Sequence, residues 1–273
     1  MNWLIGAIGK LLDLLIGLLG GSSFWVMLAV SVFTSVWALL LFKAVTPQDR
    51  LTAGRDKLFG HIYEMGLYQD HLAVVGRIQK DLARANLRYL GLTLPALVVL
   101  GIPMVFTLTQ LESLYKYRPF EPGETTVFSV TLAEELAGGL DRLVLESPPG
   151  VTVEAGPVRD EVARSAAWRL RAEDQGTHKL RVVAGDTELG TRDLVVGDEL
   201  VRLGETSNKS WWHALMHPGA PPLPGDGPLN ETTLQLPERQ SHSLTLGMHW
   251  LLLFCILAMV AGLALKDWLR VSI

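Results

Sequence analysis

Few residues of this 273-residue chain stand at the spacing that chemistry needs. His213 and His217 are four apart, so a helix would put both imidazoles on one face, where they could hold a metal ion. No carboxylate or cysteine accompanies them at ligand spacing, and the expectation is no metal. Glu134, Glu135 and the acidic residues that follow are most simply solvated surface. The single cysteine, Cys255, can close no internal disulfide and cannot build a thiolate site alone. There is no P-loop, no G-x-S-x-G and no H-E-x-x-H, and the apolar runs hold no acidic residue of the kind that relays protons. The chain is therefore expected not to be an enzyme and to need no cofactor.

What the apolar runs do contain is hydroxyl and amide polarity. Ser31, Thr34 and Ser35 fall on one face of the first run, and Thr93, Thr107, Thr109 and Gln110 lie along the second. One reading is helix packing, in which each hydroxyl bonds its own backbone or a neighbouring helix. The other is a substrate groove of Ser31, Thr34, Ser35, Thr93, Thr107 and Gln110 that lets polar segments pass partway into a bilayer and so lowers the cost of moving a hydrophilic end across.

The elements that must carry these residues are membrane helices. With 49% hydrophobic residues and a mean hydropathy of +0.27, the chain is too apolar for one soluble domain, and its apolar residues come in blocks. Residues 24–43 are predicted as transmembrane helix 1, since the uncharged run from Phe24 to Phe42 can cross roughly 30 Å of hydrocarbon. Residues 89–111 are predicted as a second, proline-kinked span and residues 248–265 as a third, followed by a tail over 266–273. Residues 1–23 read as an amphipathic helix lying in the interface. A fourth span there would pair Lys10 with Asp13 in the membrane, at a cost. Gly20-Gly21-Ser22-Ser23 ends that helix in a turn.

Residues 44–88 read as a helical hairpin. Thr46 is placed to cap its first helix with Pro47 at the first helical position. Leu51, Arg55, Leu58, Ile62 and Met65 form one coiled-coil-like seam, and His71, Val75, Ile78, Leu82, Ala85 and Tyr89 the other, with the turn over 66–70. Its basic residues place the hairpin in the cytoplasm by the positive-inside rule, as Lys266 and Arg270 do for the carboxyl terminus. The protein is then expected in a cytoplasmic membrane, multi-pass, with its amino terminus outside. Arg55, Lys57, Arg77, Lys80 and Arg84 are the candidate contacts for a cytoplasmic partner. A net charge of −4, with the cations explained by topology, argues against a nucleic-acid surface.

Residues 115–200 alternate in short runs broken by turn residues, the pattern of a small extracytoplasmic β-sandwich of about seven strands. Asp174-Gln175-Gly176-Thr177-His178 resembles the D-x-G-x-Y corner of immunoglobulin-like domains, with histidine in the tyrosine position. Residues 201–247 read as a Pro/Gly-rich interfacial connector. Trp3, Trp211, Trp212, Trp250 and Trp268 are expected to anchor at the membrane interface.

An interfacial helix, a first span, a helical hairpin and a returning span that carries prolines (Leu94 to Leu108) occur in this order in the YidC/Oxa/Alb insertase superfamily, which the chain resembles over residues 3–111, with 248–265 as the third span. Gly21-Ser22-Ser23-Phe24 is similar to the segment before that family's first span. The fold expected is an α-helical integral membrane protein of three spans, or four if residues 2–20 cross, with an inserted all-β immunoglobulin-like domain. The resemblance implies a membrane-protein insertase or chaperone whose partners are the bilayer, nascent membrane proteins or the ribosome, and another membrane subunit. Departures are Thr34 and Ser35 where many bacterial members carry a groove arginine, a missing final pair of spans, and the inserted β domain. The alternative function is a non-catalytic envelope adaptor whose β domain recognises a partner or ligand.

Overall fold

The structure is a computed structural model that describes residues 14–68, 72–133, 140–239 and 248–271. The chain divides into two compact units, Met27–Thr107 with Leu251–Ile273, and Met1–Val26 with Leu108–Trp250.

Helix α1 (Ser23–Val45) has no charge before Lys43. Before it, residues 14–18 are helical and then stop: Gly20 and Gly21 take positive φ, and the Gly21 amide reaches back to the Ile16 carbonyl at 2.9 Å. Five-residue back-bonds of this kind close a helix where glycine can enter the left-handed region. The predicted break is in place, while Trp3, Lys10 and Asp13 lie outside the described residues.

Helix α2 (Gln48–Leu67) and helix α3 (Leu72–Tyr115) follow. Thr46 does not cap α2, which corrects the sequence reading. Its amide closes α1 on the Phe42 carbonyl at 2.9 Å, its hydroxyl has no partner among the described residues, and Pro47 takes the cap position with extended backbone. Of the seam residues Leu51 and Ile78 are buried, Ile62 is exposed, the others described are half-buried, and His71 lies outside the described residues. The hairpin's second arm and the second apolar run are one 44-residue helix, continuous through residue 88, with Pro95 and Pro103 inside it. Each proline deletes one amide donor and leaves the carbonyl four residues earlier, Gly91 or Val99, without its usual bond. Among the described residues two helices, α1 and α3, are long and apolar enough to cross a membrane. Helix α5 (Trp250–Lys266) is equally apolar but 17 residues long. Lys43 Nζ donates to the Leu269 carbonyl at 2.8 Å just past its end, a position where a cation meets unpaired carbonyls.

In the other unit, strands β1 (Thr125–Leu132), β2 (Leu143–Glu146), β3 (Val151–Asp160), β4 (Ser165–Ala172), β5 (Gly176–Ala184), β6 (Thr187–Val196), β7 (Thr206–Asn208) and β8 (Leu229–Leu234) form two antiparallel sheets. Their orders are β3-β4-β1-β8-β7 and β2-β5-β6. Alternate residues of both sheets meet in one core that includes Phe128, Leu145, Trp168, Leu180, Leu194 and Leu229. Phe128 and Trp168 are cross-strand partners whose rings stack with centroids 6.2 Å apart.

The stretch read as a connector is part of this unit. It supplies β7, the short helix α4 (Trp211–Met216) and β8, which lies between β1 and β7 and buries Leu229, Thr232 and Leu234. The domain therefore extends past residue 200, and it has eight strands among the described residues where seven were expected. Its ends lie side by side: the Arg118 amide donates to the Pro237 carbonyl at 3.0 Å and the Arg239 amide to that of Lys116 at 2.8 Å. A domain whose ends meet can be inserted into a loop without disturbing it.

Candidate functional site

The hydroxyls of α1 lie on one face because Ser31, Thr34 and Ser35 are three and four residues apart. All three are buried, at 0%, 1% and 5% exposure. Ser31 Oγ donates to the Met27 carbonyl at 2.8 Å. Ser35 Oγ shares its proton between the Ser31 carbonyl and the Ala258 carbonyl of α5, each at 2.8 Å. Ser35 thus ties two apolar helices together. Thr34 differs: its Oγ1 has no hydrogen-bond partner among the described residues.

The polar residues of α3 are not gathered with them into one cluster. Thr93 Oγ1 donates to the Leu90 carbonyl at 3.1 Å and Thr107 Oγ1 to the Pro103 carbonyl at 2.9 Å, so both are occupied by their own helix. These two threonines are fourteen positions apart, roughly 21 Å along the axis. Gln110 belongs to the other unit, where it is buried with both amide atoms unpartnered among the described residues.

The hairpin presents a charged groove. Arg50 and Lys57 of α2 face Arg84 and Arg88 of α3 across an open space of about 920 Å³, lined also by His61 and Asp81. Gly54 faces the Tyr89 ring there, and a Cβ at position 54 would lie in ordinary contact with it at 3.4 Å. Four cations thus stand against one carboxylate, and Asp81 Oδ1 sits 3.5 Å from Arg84 Nη1. Of the expected partner contacts, Lys57 and Arg84 line the groove. Arg77 and Lys80 are exposed outside it, and Arg55 lies beside Asp56 at 3.9 Å. Arg50 and Arg88 were not among those expected contacts, although their spacing carries the signal: Arg50 is seven before Lys57, and Arg88 four after Arg84.

Of the expected interface anchors, Trp211 and Trp212 are exposed on α4 with rings edge to face at 5.6 Å. Trp268 is exposed and Trp250 half-buried, while Trp3 lies outside the described residues. Ser210 caps α4, accepting the His213 amide. His213 and His217 stack with centroids 4.4 Å apart. Burial and the His217 charge both push the His213 imidazole below its ordinary range. Among the described residues no group of three potential metal ligands comes together.

At the base of the β domain, Arg118 grips Glu124 with both guanidinium nitrogens, at 3.0 and 2.6 Å. That pairing holds the Glu124 carboxyl below its usual range. Lys116 is pushed up by its hydrogen bond to Glu112 at 2.7 Å. No family model matches the chain, and neither a curated protein nor a solved structure matches it.

Proposed function

We propose that this chain is a membrane-protein insertase or membrane chaperone-like protein. In this reading α1, α3 and α5 hold it in a cytoplasmic membrane, the hairpin faces the cytoplasm, and the β domain is extracytoplasmic. The observation that carries it is Thr34, whose buried hydroxyl has no partner among the described residues while Ser31 and Ser35 on the same face are both bonded. Inside hydrocarbon an unpaired hydroxyl is costly, and the polar backbone of a segment in transit would supply a partner. The basic groove of the hairpin supports the same reading, since four cations would attract an acidic flank of a nascent chain or the ribosome surface.

The test is photo-crosslinking in living cells from a probe at Thr34, with a probe at Leu252, which is 58% exposed, as the lipid-facing control. Capture of short nascent membrane proteins at Thr34 that ceases when translation is blocked is the expected result. Capture of one stable partner or of lipid alone, regardless of translation, overturns it.

A second reading, an envelope adaptor, is favoured by the β domain. His178 Nε2 donates to the Asp174 carbonyl at 2.8 Å, which supports an immunoglobulin-like corner, and the exposed Trp211–Trp212 pair offers a contact surface. Replacing residues 119–236 by a short Gly-Ser linker separates the readings. An insertase keeps its activity without them, and an adaptor loses its function.

A further inference from the structure

Arg192 stands where strand alternation calls for an apolar residue. Along β6 it shares the buried face with Leu194 and Val196, while Asp193 between them is exposed. Its residue exposure is 5%. A buried guanidinium normally has its donors matched and its charge met by a carboxylate. Here Nη2 donates to the backbone carbonyls of Gly204 and Glu205, and Nη1 has no partner among the described residues. The Glu205 carboxylate does not serve it, being taken by the Tyr117 hydroxyl at 2.9 Å and the Leu236 amide at 3.2 Å. Desolvation pulls the guanidinium down to about 10, with Asp193 opposing weakly.

Arg192 lines a cavity of about 540 Å³. Ala214, Pro221, Leu234 and Leu236 make much of its wall apolar, and Arg202 and Asp193 line it too. The volume falls within the ordinary range of small-ligand sites, which are mostly apolar with a few placed polar groups. We propose that this cavity binds a small apolar monocarboxylate, its carboxylate drawn by the Arg192 guanidinium and its hydrocarbon body against the proline and leucine walls. A monocarboxylate matches the one guanidinium nitrogen of Arg192 that has no partner among the described residues. The site is independent of the insertase reading, since it uses no residue of α1 or the hairpin.

The test is titration of the full chain in detergent micelles with 3-phenylpropionate, followed by ligand-observed NMR, with 3-phenylpropionamide as the neutral isostere. Saturable binding of the acid, at least tenfold tighter than the amide and weakened at least tenfold in Arg192→Met, is the expected result. Arg192→Met removes a buried charge but also the bonds that Nη2 makes to the Gly204 and Glu205 carbonyls, so its near-ultraviolet circular dichroism is compared with that of the wild type. Exposed Asp193→Asn gives an independent check and should tighten the acid severalfold. The proposal is overturned if acid and amide bind alike, if the acid does not bind, if Arg192→Met leaves acid binding unchanged, or if inorganic phosphate competes with the acid at equal concentration.

Discussion

Thr34 and Ser35 are neighbours on one helix face, yet the structure predicts that removing their hydroxyls will have effects of opposite sign. Ser35→Ala breaks the bond to the Ala258 carbonyl of α5. Interhelical hydrogen bonds of this kind in membranes average about 0.6 kcal/mol and reach about 1.7, so Ser35→Ala should destabilise by about 1 kcal/mol. Thr34→Val keeps the shape and deletes a buried oxygen that is unpartnered among the described residues. Relief of an unsatisfied buried group is worth about 1–3 kcal/mol in water-soluble proteins. Part of that is lost here, because the hydroxyl can bond its own helix when the helices separate, which leaves a gain of about 1 kcal/mol. The two variants should therefore differ by about 2 kcal/mol, more than tenfold in the unfolding equilibrium. Reversible unfolding in mixed micelles with added SDS, followed by tryptophan fluorescence, reads this directly. Thr93→Val, whose hydroxyl bonds its own helix, is the control and should stay within about 0.5 kcal/mol. If Thr34→Val is less stable than the wild type, the hydroxyl has a partner in place and the reasoning fails. If the insertase reading holds, the stabilised variant should also insert a test protein into proteoliposomes more slowly, because the guest has lost its partner.

Trp168→Ala should cost the β domain about 3–5 kcal/mol, since a 2%-exposed ring stacked on Phe128 leaves a cavity. Loss of near-ultraviolet circular dichroism with far-ultraviolet helix signal retained would check it. Glu124 is held low by Arg118, so its contribution is complete above the unfolded carboxyl value of about 4.3 and is lost as pH falls through the lower folded value. The melting temperature of Glu124→Gln should lie below that of the wild type at pH 6 and converge on it towards pH 3; a gap that stays constant with pH contradicts the assignment. Arg84→Glu with Arg88→Glu turns the groove from four cations and one carboxylate to two cations and three carboxylates. Ribosome or nascent-chain co-sedimentation should fall severalfold at low salt and differ little at high salt, where screening removes the wild-type advantage.

The helices were legible because their signals are local. An uncharged run, two complementary seams and a glycine break each depend on residues within a few turns of one another, and α1, α2 and the stop at Gly20 appear where those signals stand. The failure at Thr46 was also local. Proline at 47 suits either the first helical position or the cap itself, and the sequence does not say which. Strand β8 was missed for a longer-range reason. Its burial pattern departs from strict alternation, and its partner β1 shifts register between Thr131 and Leu132. A strand held by sheet neighbours on both sides need not advertise itself in its own sequence. The flanking prolines and the tryptophan pair then drew the whole stretch towards an interfacial loop.

The same distinction explains why the polar residues were found but their states were not. A helical spacing identifies which hydroxyls share a face, and it put Ser31, Thr34 and Ser35 together correctly. Whether each hydroxyl is satisfied depends on what crosses that face. The carbonyl at 258 lies 223 residues beyond Ser35, and no pattern within α1 can reveal it. Arg192 is the reverse case. Its neighbours in β6 were legible as a strand, but an arginine within such alternation reads as surface until the sheet places it inward beside Leu194 and Val196. Thr34 and Arg192, like Thr46 and Gln110, are residues where a legible local pattern puts a polar group into a buried position without a full set of partners among the described residues. Natural interiors rarely leave such groups unmatched, so their partners are best sought among the molecules this chain meets.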